Sequence, residues 1–246
     1  MSLRLLICLV TAGLAALPAA RAAETVTPAQ KGAFEQIIHD YILQHPEVII
    51  EALQSAEEKV KAQSEERARA AVGERRQELL DDPSAPVAGN PKGDVTIVEF
   101  FDYRCPYCKQ VEPALEALLK EDRQLRIVYK ELPILGKDSV YATRAALAAR
   151  KQAKYDKFHA AMMAAKGQID EKTILQVATA AGLDIERLKS DMTASEIDDA
   201  IKRNYDLAQA LDIHGTPAFV IGGELVPGAI DIATMKQKIA AARKSG

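Results

Sequence analysis

Two cysteines separated by two residues, at the junction of a strand pattern and a helical pattern, constrain this chain more than any other feature. Val95-Thr96-Ile97-Val98-Glu99-Phe100-Phe101 is rich in β-branched and aromatic residues and reads as a buried strand. Cys105-Pro106-Tyr107-Cys108 follows, and Val111, Leu115, Leu118 and Leu119 then recur at helical spacing. Cys105 is therefore expected at a helix N-terminus, where unpaired N–H groups and the helix dipole favour an anion. The anion here is thiolate, the nucleophile of disulfide exchange. Pro106 suits the first helical turn, which does not need its missing N–H. Cys108 lies almost one turn further on, close enough to attack a mixed disulfide on Cys105. The expectation is an exposed nucleophile at Cys105 and a more buried resolving thiol at Cys108.

The sequence contains 3 cysteines, and Cys8 lies in the leader-like segment, so a mature chain keeps only this pair. A bridge across two residues closes too short a loop to restrict the unfolded chain, so chemistry explains the pair better than stabilisation. A structural zinc site wants four ligands. One Cys pair, with His39 and His45 in the N-terminal region and His159 and His214 far apart, supplies that set poorly.

The ends and the composition place this chemistry. Arg4, an apolar run from Leu5 to Leu17 and Ala20-Arg21-Ala22 form a signal-peptide pattern over 1–22, too short for a resident membrane helix. With a net charge of -3 there is no basic excess to favour nucleic acid or anionic lipid. The expected organisation is a helical arm at 23–80, a linker at 81–94 and an α/β domain at 95–246. Phe34, Ile37, Ile38, Tyr41 and Ile42 recur at helical spacing, and Pro46 breaks that helix or opens the next. Ile49, Leu53, Ala56 and Val60 form a coiled-coil type seam that fades into charged residues. Such an arm is either a self-association element or a solvated helix, and its apolar front half favours self-association. The prolines and glycines of 81–94 argue against helix or central strand there. Leu125–Lys130 reads as a second strand, about 138–210 as a helical insertion broken near Gly167 and Gly182, and Ala218–Val226 as a hairpin turning on Gly222-Gly223. A terminal amphipathic helix carries Ile232, Met235 and Ile239.

Val98 through Cys108 resembles the active-site region of DsbA-like periplasmic thiol–disulfide oxidoreductases, and His214-Gly215-Thr216-Pro217-Ala218-Phe219 is similar to their second signature. The arm segment Asp40 through Ile49 resembles the oligomerisation region of ScsC-type and Com1-type relatives. This resemblance implies a thioredoxin-like fold with a helical insertion, preceded by an N-terminal helical oligomerisation arm. It implies a cis Thr216–Pro217 bond facing the cysteines, with the Thr216 backbone available to an extended client. It also implies a Glu99–Lys130 acid–base pair beneath the site that assists proton transfer at Cys108; a solvent-facing Glu99 is the alternative. No separate cofactor is expected beyond the Cys105–Cys108 disulfide, although soft thiolates also suit copper(I). The expected partners are protein thiols or disulfides, a membrane redox partner of the DsbD/ScsB or DsbB type, and further copies of the chain, with a trimer favoured. The resemblance implies a periplasmic location. Tyr107 stands where DsbA itself has a histidine and supplies no cation, so a weaker oxidant is expected, leaning to isomerase or reductase. A dithiol oxidase and a copper-binding or client-holding chaperone are the alternatives.

Overall fold

The computed structural model describes residues 27–245, so the expected signal segment at 1–22, with Cys8, lies outside the described residues. The chain divides into two compact units, one ending at Glu57 and one beginning at Glu58. In the first unit, Thr27 caps helix α1 (Pro28–Gln44). Its hydroxyl accepts the Gln30 N–H while the Gln30 side chain accepts the Thr27 N–H, a reciprocal capping box. The helix ends before Pro46, whose ring and missing N–H disfavour helix continuation, and α2 (Glu47–Glu74) begins after it. No α1 residue is buried, and Phe34, Ile37, Ile38, Tyr41 and Leu43 are all more than half exposed.

The last turns of α2 belong to the second unit, where Val72 enters the core together with Leu79 of α3 (Arg76–Leu80). A short strand β1 (Val87–Gly89) precedes β2 (Val95–Phe101), helix α4 (Pro106–Glu121) and β3 (Leu125–Glu131). Five helices follow: α5 (Lys137–Ala149), α6 (Tyr155–Ala164), α7 (Glu171–Ala180), α8 (Ile185–Asp191) and α9 (Ser195–Ala210). The hairpin β4 (Ala218–Ile221) and β5 (Glu224–Pro227) and helix α10 (Ile232–Ser245) complete the unit. Gly222 and Gly223 have φ of +58° and +84°, the backbone that a tight hairpin turn requires and that other residues adopt at a cost.

The sheet runs β1-β3-β2-β4-β5, with β2 and β3 parallel and the other pairs antiparallel. Side chains alternate between its faces, as a strand period of two requires. Ile97, Phe101, Ile127, Tyr129, Phe219 and Ile221 point to the face covered by α4, α10 and the helical insertion. Val98, Phe100, Val128, Ala218 and Val220 point to the other, sealed by Val72, Leu79, Leu207 and Leu211. This is the expected thioredoxin-like α/β plan with its insertion between β3 and β4.

Two boundaries differ from the sequence expectation. The division falls at Glu57/Glu58 rather than in 81–94, because Val72 and Leu79 are needed to cover one face of the sheet. The proline-rich segment is not merely a linker either. Val87–Gly89 pairs antiparallel with β3 as an edge strand, the place where a short strand bounded by prolines is tolerated.

Candidate active site

The end of β2 delivers the chain into a pinned turn. Asp102 accepts the N–H of Arg104 on one carboxylate oxygen (2.8 Å) and that of Leu135 on the other (3.0 Å), while its carbonyl accepts the Cys105 N–H (3.0 Å). Arg104 donates to the Leu135 carbonyl at 2.6 Å. This turn presents Cys105 as the N-cap of α4, with extended φ/ψ and Pro106 in the first turn. Tyr107, between the cysteines, is 60% exposed.

The cysteines are free thiols in very different settings. Cys108 is fully buried, and Cys105, expected to be exposed, is only 4% exposed. The order of burial is as expected, but the Thr216-Pro217 loop covers Cys105 more than its place at a helix end suggests. The Thr216–Pro217 bond is cis, and the Cys105 thiol donates to the Thr216 carbonyl at 3.2 Å. Hydrogen bonding from the Cys108 thiol lowers the Cys105 pKa to about 5; burial opposes the shift, and the Thr216 side chain and the N–H groups of Cys108 and Tyr107 reinforce it. Cys108 is pushed upward by that same shared hydrogen bond, then by burial, with Glu99 adding a smaller repulsion. Of the two thiols, one is set up as thiolate and the other as proton donor.

Glu99 is fully buried on the α4 face, its carboxyl held well above the usual range by burial first and by Glu112 and Cys105 next. Neither of its oxygens has a hydrogen-bond partner. The expected pair with Lys130 is not formed. Glu99 is in register with Tyr129, whereas Lys130 is in register with Phe100, so the two side chains point to opposite faces of the sheet. Lys130 pairs instead with Asp82 at 2.7 Å, and its pKa is lowered by burial against that attraction. The structure thus unites Cys105, Pro106, Tyr107, Cys108, Glu99, Thr216 and Pro217, and separates Lys130 from them.

Sequence reasoning missed three polar groups near this machinery, Asp102, Glu112 and His159, and on the opposite face of the sheet the Asp82 that pairs with Lys130. Glu112 was within reach, since four residues beyond Cys108 places it on the same helical face. Asp82 sat in a segment read as linker, and His159 carried no local signal that set it apart in α6, which also carries Asp156 and Lys157.

A thiolate-forming cysteine at a helix N-terminus, backed by a buried second thiol and faced by a cis-proline loop, defines a thioredoxin-like thiol–disulfide exchange site. The DSBA-like thioredoxin domain model matches residues 96–240, and the chain belongs to that family. The copper resistance protein ScsC N-terminal domain matches residues 30–63. A thioredoxin-like oxidoreductase from Silicibacter pomeroyi DSS-3 superimposes with a TM-score of 0.68 at 47% identity, covering 70% of this chain and 99% of that one. Proteus mirabilis ScsC in a transitional conformation gives a TM-score of 0.67 at 25% identity, with 89% and 100% covered. The thiol:disulfide interchange protein DsbA of Bordetella parapertussis is 31% identical over 144 residues, 56% of this chain and 68% of that protein. The chain also matches the Na(+)/H(+) antiporter NhaA 3 of Salinispora tropica at 29% identity over 63% of its own length, but spans only 24% of that relative. Among the described residues no helix is long and apolar enough to cross a membrane.

Proposed function

We propose that the protein is an exported, periplasmic thiol–disulfide oxidoreductase that exchanges disulfides with protein clients, working mainly as an isomerase or reductase. The observation that carries the exchange reading is geometric: Cys105 is the N-cap of α4 with its thiol 3.2 Å from the Thr216 carbonyl of the cis-proline loop, and Cys108 is fully buried behind it. At neutral pH the Cys105 thiolate attacks a client disulfide, expelling one client sulfur and leaving a mixed disulfide. An extended client pairs with the backbone at Thr216 while this forms. Cys108 then attacks Cys105 Sγ, its proton passing to the buried Glu99 carboxylate, and the second client sulfur leaves as thiolate.

The exposed apolar face of α1 supports self-association, a trimer by resemblance, which would bring several Cys105 thiolates to one client. Continued reduction requires a membrane electron donor of the DsbD/ScsB type. A dithiol oxidase coupled to a DsbB-type acceptor is the second reading, favoured by the stabilised thiolate, because a stabilised reduced form makes a disulfide oxidising. The two soft thiolates also suit copper(I), and competition with a chromogenic copper(I) chelator tests that role.

Scrambled-disulfide ribonuclease separates the readings. Recovery of ribonuclease activity by the full chain, reduced by Ile37→Asp in α1, supports an oligomeric isomerase. Fast oxidation of reduced ribonuclease without recovery of the scrambled form supports the oxidase.

A further inference from the structure

Glu99 lacks the lysine expected beside it, yet the cluster it occupies contains another group able to carry positive charge. The α4 face of the sheet gathers Glu99 from β2, Tyr103 from the turn after it, Glu112 from α4, Tyr129 and Glu131 from β3, and Tyr155 and His159 from α6. His159 is 3% exposed and Glu112 7%. The His159 Nε2 lies 3.5 Å from Glu112 Oε1, an ion-pair separation longer than a hydrogen bond, and its Nδ1 lies 3.0 Å from the Tyr103 hydroxyl. The rings of Phe101, Tyr103, Tyr129 and Tyr155 surround the imidazole at centroid distances of 5.1, 5.6, 4.4 and 5.5 Å. Of these, the Tyr155 ring is stacked on the imidazole at 17°, the face-on arrangement in which an aromatic ring favours a cation. Glu131, bound by the Tyr155 hydroxyl at 2.7 Å, adds a second carboxyl to the surroundings of this ring.

Five buried polar atoms here have no hydrogen-bond partner: both Glu99 oxygens, Glu112 Oε2, Glu131 Oε2 and His159 Nε2. A folded core rarely leaves so many in one place without a functional reason. Neighbouring buried carboxylates do not ionise together unless a positive charge offsets one of them. Lys109 is engaged elsewhere, donating to the carbonyls of Met162 and Ala165 at 2.5 and 3.0 Å.

We propose that His159, protonated against Glu112, is a positioning residue of the resolving step, supplying the charge that allows Glu99 and Glu112 to be ionised together. Glu99 is then free to receive the Cys108 proton. The Cys105–client S–S bond breaks, the Cys105–Cys108 bond forms, the client sulfur leaves as thiolate, and the proton rests on Glu99. The inference rests on the exchange reading above and adds to it the origin of the base.

The test follows release of a fluorescent peptide thiol from its mixed disulfide with Cys105 in the full-length protein, by stopped flow across pH. His159→Gln is expected to move the release profile up by about one pH unit and to slow release at pH 7 about tenfold. Adding Glu112→Gln, which removes the competing charge, is expected to restore the profile. A single variant superimposable on wild type, or a double variant no faster than the single, overturns the proposal. Should the variants not fold, the nitrogen chemical shifts of His159 in the reduced wild-type protein decide: an imidazolium at pH 7 supports the proposal and a neutral ring overturns it. A wild-type protein that forms the mixed disulfide but never releases peptide overturns the exchange reading itself, a distinguishable result.

Discussion

A thiol of ordinary acidity is only slightly ionised at neutral pH, and Cys105 escapes that limit because donors converge on its sulfur. Removing one donor exposes the effect. Thr216→Val is expected to raise the pH midpoint of Cys105 alkylation above the value of about 5, with Cys108 still protected. The depressed pKa also fixes a stability trend. The reduced fold gains stability from the Cys105 thiolate above the ordinary thiol value of 9.0, and loses it as pH falls toward about 5. Denaturant titrations of reduced and oxidised protein should therefore differ more at pH 8 than at pH 4, the reduced form gaining with pH. Glu99 has the opposite sign: its pKa is raised in the fold, so it costs stability as pH rises above the ordinary carboxyl value of 4.5. Glu99→Gln, which cannot ionise, should remove that loss of stability as pH rises above 4.5 in a series of denaturant titrations, while slowing release of mixed disulfides. Lys130→Met separates the two faces of the sheet. It should destabilise the fold by about 3 kcal/mol through the stranded Asp82, yet leave the pH profile of exchange unchanged. A shifted exchange profile would restore the discarded pairing with Glu99.

Elements were legible in the sequence wherever one local pattern decided them. The unbroken apolar run of β2, the Gly222-Gly223 hairpin and the helix opening at Pro106 each lie where the residues indicated. Strand β1 was not legible, because its three residues become a strand only by pairing with β3, some forty positions away. Parity across the sheet was equally hidden. Glu99 and Lys130 look like natural partners until the β2–β3 register assigns them opposite faces, and no local pattern encodes a register. The same long-range packing brings Leu79 into the core, which makes α3 part of the catalytic unit rather than of an arm. Leu79→Ala should cost about 2–5 kcal/mol in a denaturant midpoint, the range for emptying a buried leucine site. A truncation carried through residue 80 would therefore damage the very site it is meant to isolate.

At the scale of the molecule, the apolar residues of α1 are too exposed to be left in water, whereas the sheet faces of the catalytic unit are well covered. Sedimentation of wild-type protein should report an oligomer, and Tyr41→Asp with Ile37→Asp should yield a monomer whose Cys105 alkylation is unaltered. The sheet margins carry a different consequence. β1 is three residues long, and β5 is four and ends in Pro227, which has no N–H to offer. Unfolded chains are rich in unsatisfied backbone groups seeking a ladder to join, and a protein whose work brings it among them risks becoming the template for their aggregation. Margins this short offer almost no rungs, so a stray strand gains little by adding itself there.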